Sequence, residues 1–152
     1  MNKLFLVLDN LLGIREQLNL DKIEKIIMDS RKVQKGDLFF AINNGNKYID
    51  EVLKKGASIV VADNYPGEDK RVFKVPNTVE FMQKLAKEYR EALGLKVIAI
   101  TGSNGKTTTK DMIYSVLSRK YKTKKTEGNY NNHIGLPFTI LQLEEKDEVV
   151  VL

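Results

Sequence analysis

A glycine-containing segment followed by Lys and Thr carries the side chains best suited to chemistry in this sequence. The segment is Thr101-Gly102-Ser103-Asn104-Gly105-Lys106-Thr107-Thr108-Thr109. Glycines let backbone N–H groups turn inward around an anion, and a helix starting directly afterwards adds unpaired N–H donors and a partial positive charge. Lys106 would reach the β- and γ-phosphates of a nucleotide as a point charge, and Thr107 would offer its hydroxyl to Mg²⁺. These residue types in this order indicate a phosphate-binding loop.

The elements on either side of this loop support that interpretation. The apolar run Val97–Ile100 predicts a strand buried on both faces. The generic phosphate-loop motif has four residues between its glycines, whereas this segment has two, so the match depends on its context and on the Gly-Lys-Thr-Thr ending. A chance Gly-Lys-Thr at a helix start is the alternative, and the agreement of strand, turn and helix disfavours it. The helix that follows is expected to bury Met112, Ile113, Val116 and Leu117.

A second segment, rich in Asn and Gly, lies over residues 127–139. It reads Glu127-Gly128-Asn129-Tyr130-Asn131-Asn132-His133-Ile134-Gly135-Leu136-Pro137-Phe138-Thr139. Asn and Gly tolerate left-handed backbone geometry, and Pro137 would open a helix in its first turn. Asn amides donate and accept hydrogen bonds but supply no nucleophile or base. Taken alone, the segment predicts a turn with one loop histidine.

The remainder of the chain alternates helical and strand-like stretches, which predicts an α/β fold. A domain boundary is expected near Gly94, which ends a helix capped by Asn77 or Thr78. The other expected helices cover residues 4–12 and Tyr48–Lys55, and the expected strands cover Ile23–Met28, Leu38–Ile42, Ile59–Ala62 and Val72–Val75.

Composition excludes several classes of protein. The 152 residues include no Cys and one His, which excludes a disulfide framework and disfavours a zinc site of the usual kind. No apolar run reaches the length of a membrane span and no signal peptide is recognised, so a cytoplasmic location is expected. The net charge is +5, with its densest patch at Arg119–Lys125. Because no aromatic series accompanies this patch, a solvated helix end is favoured over a nucleic-acid site.

Three segments resemble the Mur ligases, ATP-dependent amide-bond ligases that build the peptide of bacterial cell-wall precursors. The segment Thr101–Thr108 is similar to their short phosphate loop. Lys110 and the pattern Gly128-Asn129-x-Asn131-Asn132-x-Ile134-Gly135-x-Pro137-x-Thr139 resemble most the branch that adds D-alanyl-D-alanine to UDP-N-acetylmuramoyl-tripeptide. The run Asp29-Ser30-Arg31-x-Val33-x-x-Gly36-Asp37-Leu38-Phe39-Phe40-Ala41 resembles the family's uridine-nucleotide-binding domain. The family usually carries Asp-Gly-His after the Phe-Phe-Ala strand, whereas here Asn46 follows Gly45.

The resemblance implies a fold and an activity. A small N-terminal α/β domain, residues 1–94, would bind the UDP-sugar, and residues 95–152 would be the truncated start of a phosphate-loop α/β ATPase domain. ATP, with Mg²⁺, would convert the tripeptide carboxylate into an acyl phosphate, which the amine of D-alanyl-D-alanine then attacks. The substrates would be UDP-N-acetylmuramoyl-tripeptide and D-alanyl-D-alanine, and no nucleic acid is expected as a partner. The 152 residues alone are not expected to catalyse ligation.

The resemblance also implies roles for individual residues. Lys106 would be catalytic, and Thr107 would be a magnesium ligand whose acidic partner is absent from the chain. Ser30 and Arg31 would bond a uracil edge and phosphate oxygens, since the planar fork of Arg suits two oxygens at once. The implied ATP-binding residues are Gly102, Ser103, Asn104, Gly105, Lys106, Thr107 and Thr108, and the implied substrate-binding residues are Ser30, Arg31, Asn46, Asn129, Asn131 and Asn132.

Two alternatives remain open at this point. The chain could be a stand-alone, non-catalytic module that binds a UDP-sugar or another nucleotide. Less favoured is an unrelated phosphate-loop NTPase acting on nucleic acid, which the basic run Arg119–Lys125 suggests. If the chain is instead part of a Mur-type ligase, residues 95–152 are expected to form an incomplete parallel sheet with open edges.

Overall fold

Two units of α/β structure make up the chain, Met1–Leu85 and Ala86–Leu152. The computed structural model describes residues 3–14, 23–102, 104–127 and 132–152. This division falls inside a long helix, and a domain boundary near Gly94 stays a prediction. Gly94 does end that helix, with a left-handed φ of +64° and a hydrogen bond from its N–H to Arg90 O. The glycine therefore marks the end of this helix.

The first unit is built on a four-stranded parallel sheet. Its strands lie side by side in chain order, and the two central ones are buried along their whole length. This is the pattern expected of a parallel sheet covered on both faces. The strands are β1 (Ile26–Ile27), β2 (Leu38–Ala41), β3 (Ile59–Ala62) and β4 (Val72–Lys74). All four were expected, although β1 is much shorter than the run Ile23–Met28 that the sequence suggested.

Among the described residues of this unit, three α-helices and two 3-10 turns accompany the sheet. The helix expected over Tyr48–Lys55 begins only at Ile49, because the preceding Asn-Gly-Asn stretch winds into a 3-10 helix. The Asn77 side chain caps the long helix by accepting a hydrogen bond from Glu80 N at 3.0 Å. The helices are α1 (Lys3–Leu12), α2 (Ile49–Lys54) and α3 (Thr78–Leu93), the last of which continues into the second unit, and the 3-10 turns are Ser30–Lys32 and Asn43–Tyr48.

The second unit contains a three-stranded parallel sheet in the order β5-β7-β6. Because all three strands are parallel, their carboxyl ends meet at one edge of the sheet, which is where α/β proteins bind ligands. The central strand is fully buried. The elements are β5 (Lys96–Ile98), α4 (Lys106–Leu117), β6 (Thr123–Lys125), α5 (Gly135–Leu141) and β7 (Val149–Val151).

Two burial predictions for this unit are wrong. Val97 and Ile98 are only half-buried, because β5 is an edge strand that pairs with β7 on one side. In α4, Met112 and Val116 are 65% and 68% exposed rather than buried. Apolar spacing shows which side of a helix is apolar, but it does not show whether another element packs there. None of the helices in the described part of the chain has the length and apolar character needed to cross a membrane.

Candidate functional site

The loop between β5 and α4 has the backbone conformation of a glycine-dependent turn. Gly102 has a φ of +147° and Gly105 a φ of +74°, both in the region that L side chains rarely adopt. A Cβ atom added at either glycine would meet no atom within 4 Å. The requirement for glycine is therefore conformational, and the space beside the loop stays open to a ligand.

The first turn of α4 presents N–H groups that no side chain caps. Gly105 is the N-cap residue and makes no side-chain cap hydrogen bond. The backbone N–H of Thr109 donates to Gly105 O at 2.9 Å. The amides of Lys106, Thr107 and Thr108 come before this bond and have no carbonyl acceptor within the helix. All three residues are exposed. Amides in this arrangement, with the positive end of the helix dipole, form a site for an anion.

Lys106 lies where a cation is unfavourable for the helix itself. A positive charge at a helix N-terminus opposes the dipole. No hydrogen bond or ion pair joins Lys106 Nζ to another residue in the described ranges. A negatively charged ligand would relieve both conditions. The cavity beside Lys106 has a volume of about 250 Å³ and is lined by Ala99, Ile100, Thr101, Lys106, Thr107, Lys110, Leu136 and Leu152.

Lys110 is a member of this cavity that the sequence analysis did not include among the site residues. Its side chain is only 5% exposed, and its Nζ donates to Thr126 O at 2.8 Å. Thr126 follows β6 and is held by a hydrogen bond from its N–H to Val151 O. The spacing between Lys106 and Lys110 is the sequence signal that could have identified Lys110. Residues four apart share one face of a helix, and Lys106 precedes Lys110 by one turn.

The expected nucleotide and substrate residues around the loop are only partly described. Ser103, Asn129 and Asn131 lie outside the described residues. Asn104 is exposed in the loop. Asn132 uses its Oδ1 to accept hydrogen bonds from Ile134 N at 3.1 Å and Gly135 N at 2.6 Å. Its side-chain oxygen is therefore engaged in starting α5, which leaves its amide nitrogen for any ligand.

In the first unit, Ser30 and Arg31 lie together beside a second cavity, of about 630 Å³. The fork of Arg31 is already engaged, because its Nε and Nη2 donate to the Asp29 carboxylate at 3.0 and 2.8 Å. These bonds lower the pKa of Asp29 to about 2 and raise the pKa of Arg31. Tyr48, which is 46% exposed, lines the same cavity and offers a ring on which a base could stack. The sequence analysis placed Tyr48 at the start of a helix and gave it no role in binding.

Asn46 lies at a different cavity from Ser30 and Arg31. Its Nδ2 lies within hydrogen-bond distance of Ala41 O, Asn43 O and Asp63 Oδ1, at 3.0 to 3.3 Å. Its Oδ1 accepts a hydrogen bond from Asn64 N at 3.2 Å. The Asn46 amide thus ties the 3-10 turn to the residues after β3, and the structure does not bring it together with the other expected uridine contacts.

The donors for a metal ion are few. Within the described ranges, no three His, Cys, Asp or Glu side chains are placed to hold a metal. Thr107 is the second residue of α4 and lines the cavity beside the loop. Mg²⁺ commonly takes only one or two protein oxygens and completes its shell with water and phosphate oxygens. A single hydroxyl at this position therefore fits a magnesium ion carried with a nucleotide phosphate.

Comparisons with known proteins agree with this geometry. The model of the Mur ligase middle domain matches residues 100–152. A curated UDP-N-acetylmuramoyl-tripeptide--D-alanyl-D-alanine ligase from Bacillus subtilis is 42% identical over 137 residues, which are 86% of this chain and 30% of the relative. The enzyme of the same name from Borreliella burgdorferi is 56% identical over 75 residues, 49% of this chain and 16% of the relative. The chain thus spans about 30% of the length of the Bacillus relative.

Solved structures give the same result. The MurF ligase from Thermotoga maritima in complex with ADP is 36% identical with a TM-score of 0.78, over 85% of this chain and 31% of that one. MurF from Acinetobacter baumannii is 31% identical with a TM-score of 0.86, over 97% of this chain and 34% of that one. The similarity therefore covers both units of this chain and about a third of each solved enzyme.

Proposed function

Because the chain belongs to the Mur ligase family, we propose that it forms the nucleotide-binding part of a cytoplasmic, ATP-dependent ligase that adds D-alanyl-D-alanine to UDP-N-acetylmuramoyl-tripeptide. Residues 95–152 would open the ATP-binding domain, and residues 1–94 would hold the UDP end of the acceptor. The observation that carries the proposal is the glycine loop, where no described side chain caps the helix start or pairs with Lys106 at the cavity. The names of the relatives supply the substrates.

The residues of the loop fit a nucleoside triphosphate. ATP, when bound, supplies the phosphoryl group that activates a carboxylate. Charge develops on the transferred phosphoryl oxygens, so the contribution of the protein is positioning and electrostatic stabilisation. The amides of Lys106 to Thr108 would donate to phosphate oxygens, and the Lys106 ammonium would neutralise part of their charge. The Thr107 hydroxyl would occupy one position in the shell of Mg²⁺.

The first unit supports binding of a uridine diphosphate through its Ser30–Arg31 cavity. The Arg31 guanidinium keeps its Nη1 free of the Asp29 carboxylate, so it can still meet a phosphate oxygen while Asp29 fixes its orientation. The exposed ring of Tyr48 offers an apolar face to the uracil base. The Ser30 side chain would complete the polar contacts. Asn46, Asn129, Asn131 and Asn132 stay predicted substrate contacts.

Calorimetric titration of the 152-residue chain tests this assignment. The wild type is expected to bind a non-hydrolysable ATP analogue (AMP-PNP, with Mg²⁺) and UDP-N-acetylmuramoyl-tripeptide independently. Lys106→Ala should abolish the first affinity and spare the second, while the control Lys124→Ala, an exposed cation on β6, should change neither. We expect no ligation from the chain alone, since it spans about 30% of the relative's length.

The possible failures of this experiment are distinct. Equal loss of both affinities in Lys106→Ala would show that one site serves both ligands. Absence of any nucleotide affinity in the wild type would remove the ATP assignment. Release of ADP that depends on both the tripeptide precursor and D-alanyl-D-alanine would contradict the expectation that these residues do not ligate.

A further inference from the structure

A buried lysine ammonium without a carboxylate partner lies in the wall of the phosphate-loop cavity. Lys110 is 5% exposed, and in the part of the chain that the structure describes no carboxylate oxygen pairs with its Nζ. Its one acceptor there is the uncharged carbonyl oxygen of Thr126, at 2.8 Å. Burying an ammonium without an opposite charge is strongly unfavourable, so buried lysines are normally paired. The arrangement is therefore electrostatically incomplete without an anion.

The position of Lys110 identifies where that anion would lie. Lys106 and Lys110 are one turn apart on the same face of α4, and both line the cavity at the carboxyl ends of the strands. An ammonium has three N–H donors, and the bond to Thr126 uses one of them. The other two remain for a ligand within the same cavity as the loop.

We propose that Lys110 is a second phosphate-binding cation, which contacts the terminal phosphate of the nucleoside triphosphate. This inference rests on the proposed function, because it requires a nucleotide on the loop. The Lys106 ammonium and the loop amides would hold the phosphate chain from the helix end. The Lys110 ammonium, oriented by its hydrogen bond to Thr126 O, would contact the terminal phosphate from the side of β6. The contact would favour a nucleoside triphosphate over a diphosphate, since only the triphosphate has the third phosphate group whose charge Lys110 would neutralise.

A matched pair of substitutions separates this role from a structural one. Lys110→Gln keeps a side-chain N–H donor for Thr126 O but removes the charge, whereas Lys110→Arg keeps the charge. Lys124→Gln removes an exposed charge from the neighbouring strand and serves as the control. The readout is the affinity of the chain for AMP-PNP and for ADP, each with Mg²⁺, measured by calorimetry at fixed ionic strength.

Lys110→Gln is expected to weaken AMP-PNP binding by about tenfold, the size of a charge-assisted hydrogen bond, and ADP binding by less than about twofold. Lys110→Arg should recover much of the AMP-PNP affinity, and Lys124→Gln should leave both affinities unchanged. Equal weakening of both nucleotides in Lys110→Gln would assign a structural role and overturn the proposal.

Two further results would also overturn it. If AMP-PNP affinity is unchanged in Lys110→Gln while the wild type binds normally, the lysine does not meet the terminal phosphate, although the proposed function stands. If the wild type binds no nucleotide at all, this proposal and the proposed function fail together.

Discussion

Replacement of Tyr89 by Phe is expected to destabilise the second unit by about 1–3 kcal/mol at neutral pH. The Tyr89 side chain is 2% exposed, and its hydroxyl donates to Leu143 O at 2.6 Å. This bond ties α3 to the chain that follows α5, across 54 residues of sequence. Phe preserves the ring packing and removes only the hydroxyl. The loss therefore corresponds to one hydrogen bond together with a buried carbonyl left without its donor.

The burial of Tyr89 predicts a distinct pH dependence. Burial, followed by the nearby carboxylates of Glu145, Asp147 and Glu144, raises the pKa of Tyr89 from 10.0 to about 12. Because the folded state favours the protonated phenol, the contribution of Tyr89 is fully present below pH 10 and is lost as the pH rises toward 12. The stability difference between wild type and Tyr89→Phe should thus stay constant from pH 7 to 9. Above pH 10 it should shrink by about 1.4 kcal/mol for each pH unit until pH 12.

Urea denaturation of both proteins across this pH range provides the measurement. Tyr114→Phe is the control, since no hydrogen bond of the Tyr114 hydroxyl occurs among the described residues and its half-buried ring stays in place. That variant should lie within about 0.5 kcal/mol of wild type. Lysine deprotonation is common to all three proteins and cancels in the differences. A Tyr89→Phe loss no greater than the Tyr114→Phe loss, or a difference that does not change above pH 10, would refute the reasoning.

Three further predictions follow from single contacts. Asn132→Ala should lower the free energy of unfolding by about 1 kcal/mol, because Ile134 N and Gly135 N lose their side-chain acceptor at the start of α5. Asn132→Asp keeps an acceptor oxygen and should stay within about 0.3 kcal/mol of wild type. Urea denaturation compares the two variants, and equal loss in both would contradict this role of Asn132. The pKa of Asp29 should be about 2 in the wild type and higher in Arg31→Gln, because the substitution removes the side-chain hydrogen bonds while the backbone N–H of residue 31 still donates to Asp29 Oδ1. NMR titration measures both midpoints, and identical midpoints would be inconsistent with the pair. Gly105→Ala should cost about 1–2 kcal/mol from its positive φ, and thermal unfolding that matches wild type would count against the described loop.

The sequence was sufficient to locate the glycine loop before α4 because the loop is determined locally. Glycines at positive φ, an uncapped helix start and a lysine at its first position are all properties of consecutive residues. The parallel α/β class follows equally from alternation along the chain. Apolar runs such as Ile59–Ala62 coincide with a buried strand for the same reason.

Features that depend on distant neighbours were not predicted. Met112 and Val116 have the spacing of a buried face, but no residue type in α4 reveals that this face is exposed. Lys110 was named only as part of the family resemblance, and its hydrogen bond to Thr126 O, just after another strand, was not predicted. Each outcome depends on the tertiary packing rather than on local pattern.

The most direct test of the central claim is to locate the nucleotide on the chain. Amide ¹H–¹⁵N spectra of the 152-residue protein, recorded as AMP-PNP and Mg²⁺ are added, report which backbone N–H groups meet the ligand. The phosphate-loop assignment predicts the largest shifts at the exposed amides of Lys106, Thr107 and Thr108, and little change at Ser30 and Arg31. Shifts centred on Ser30 and Arg31, with the first turn of α4 unaffected, would contradict it.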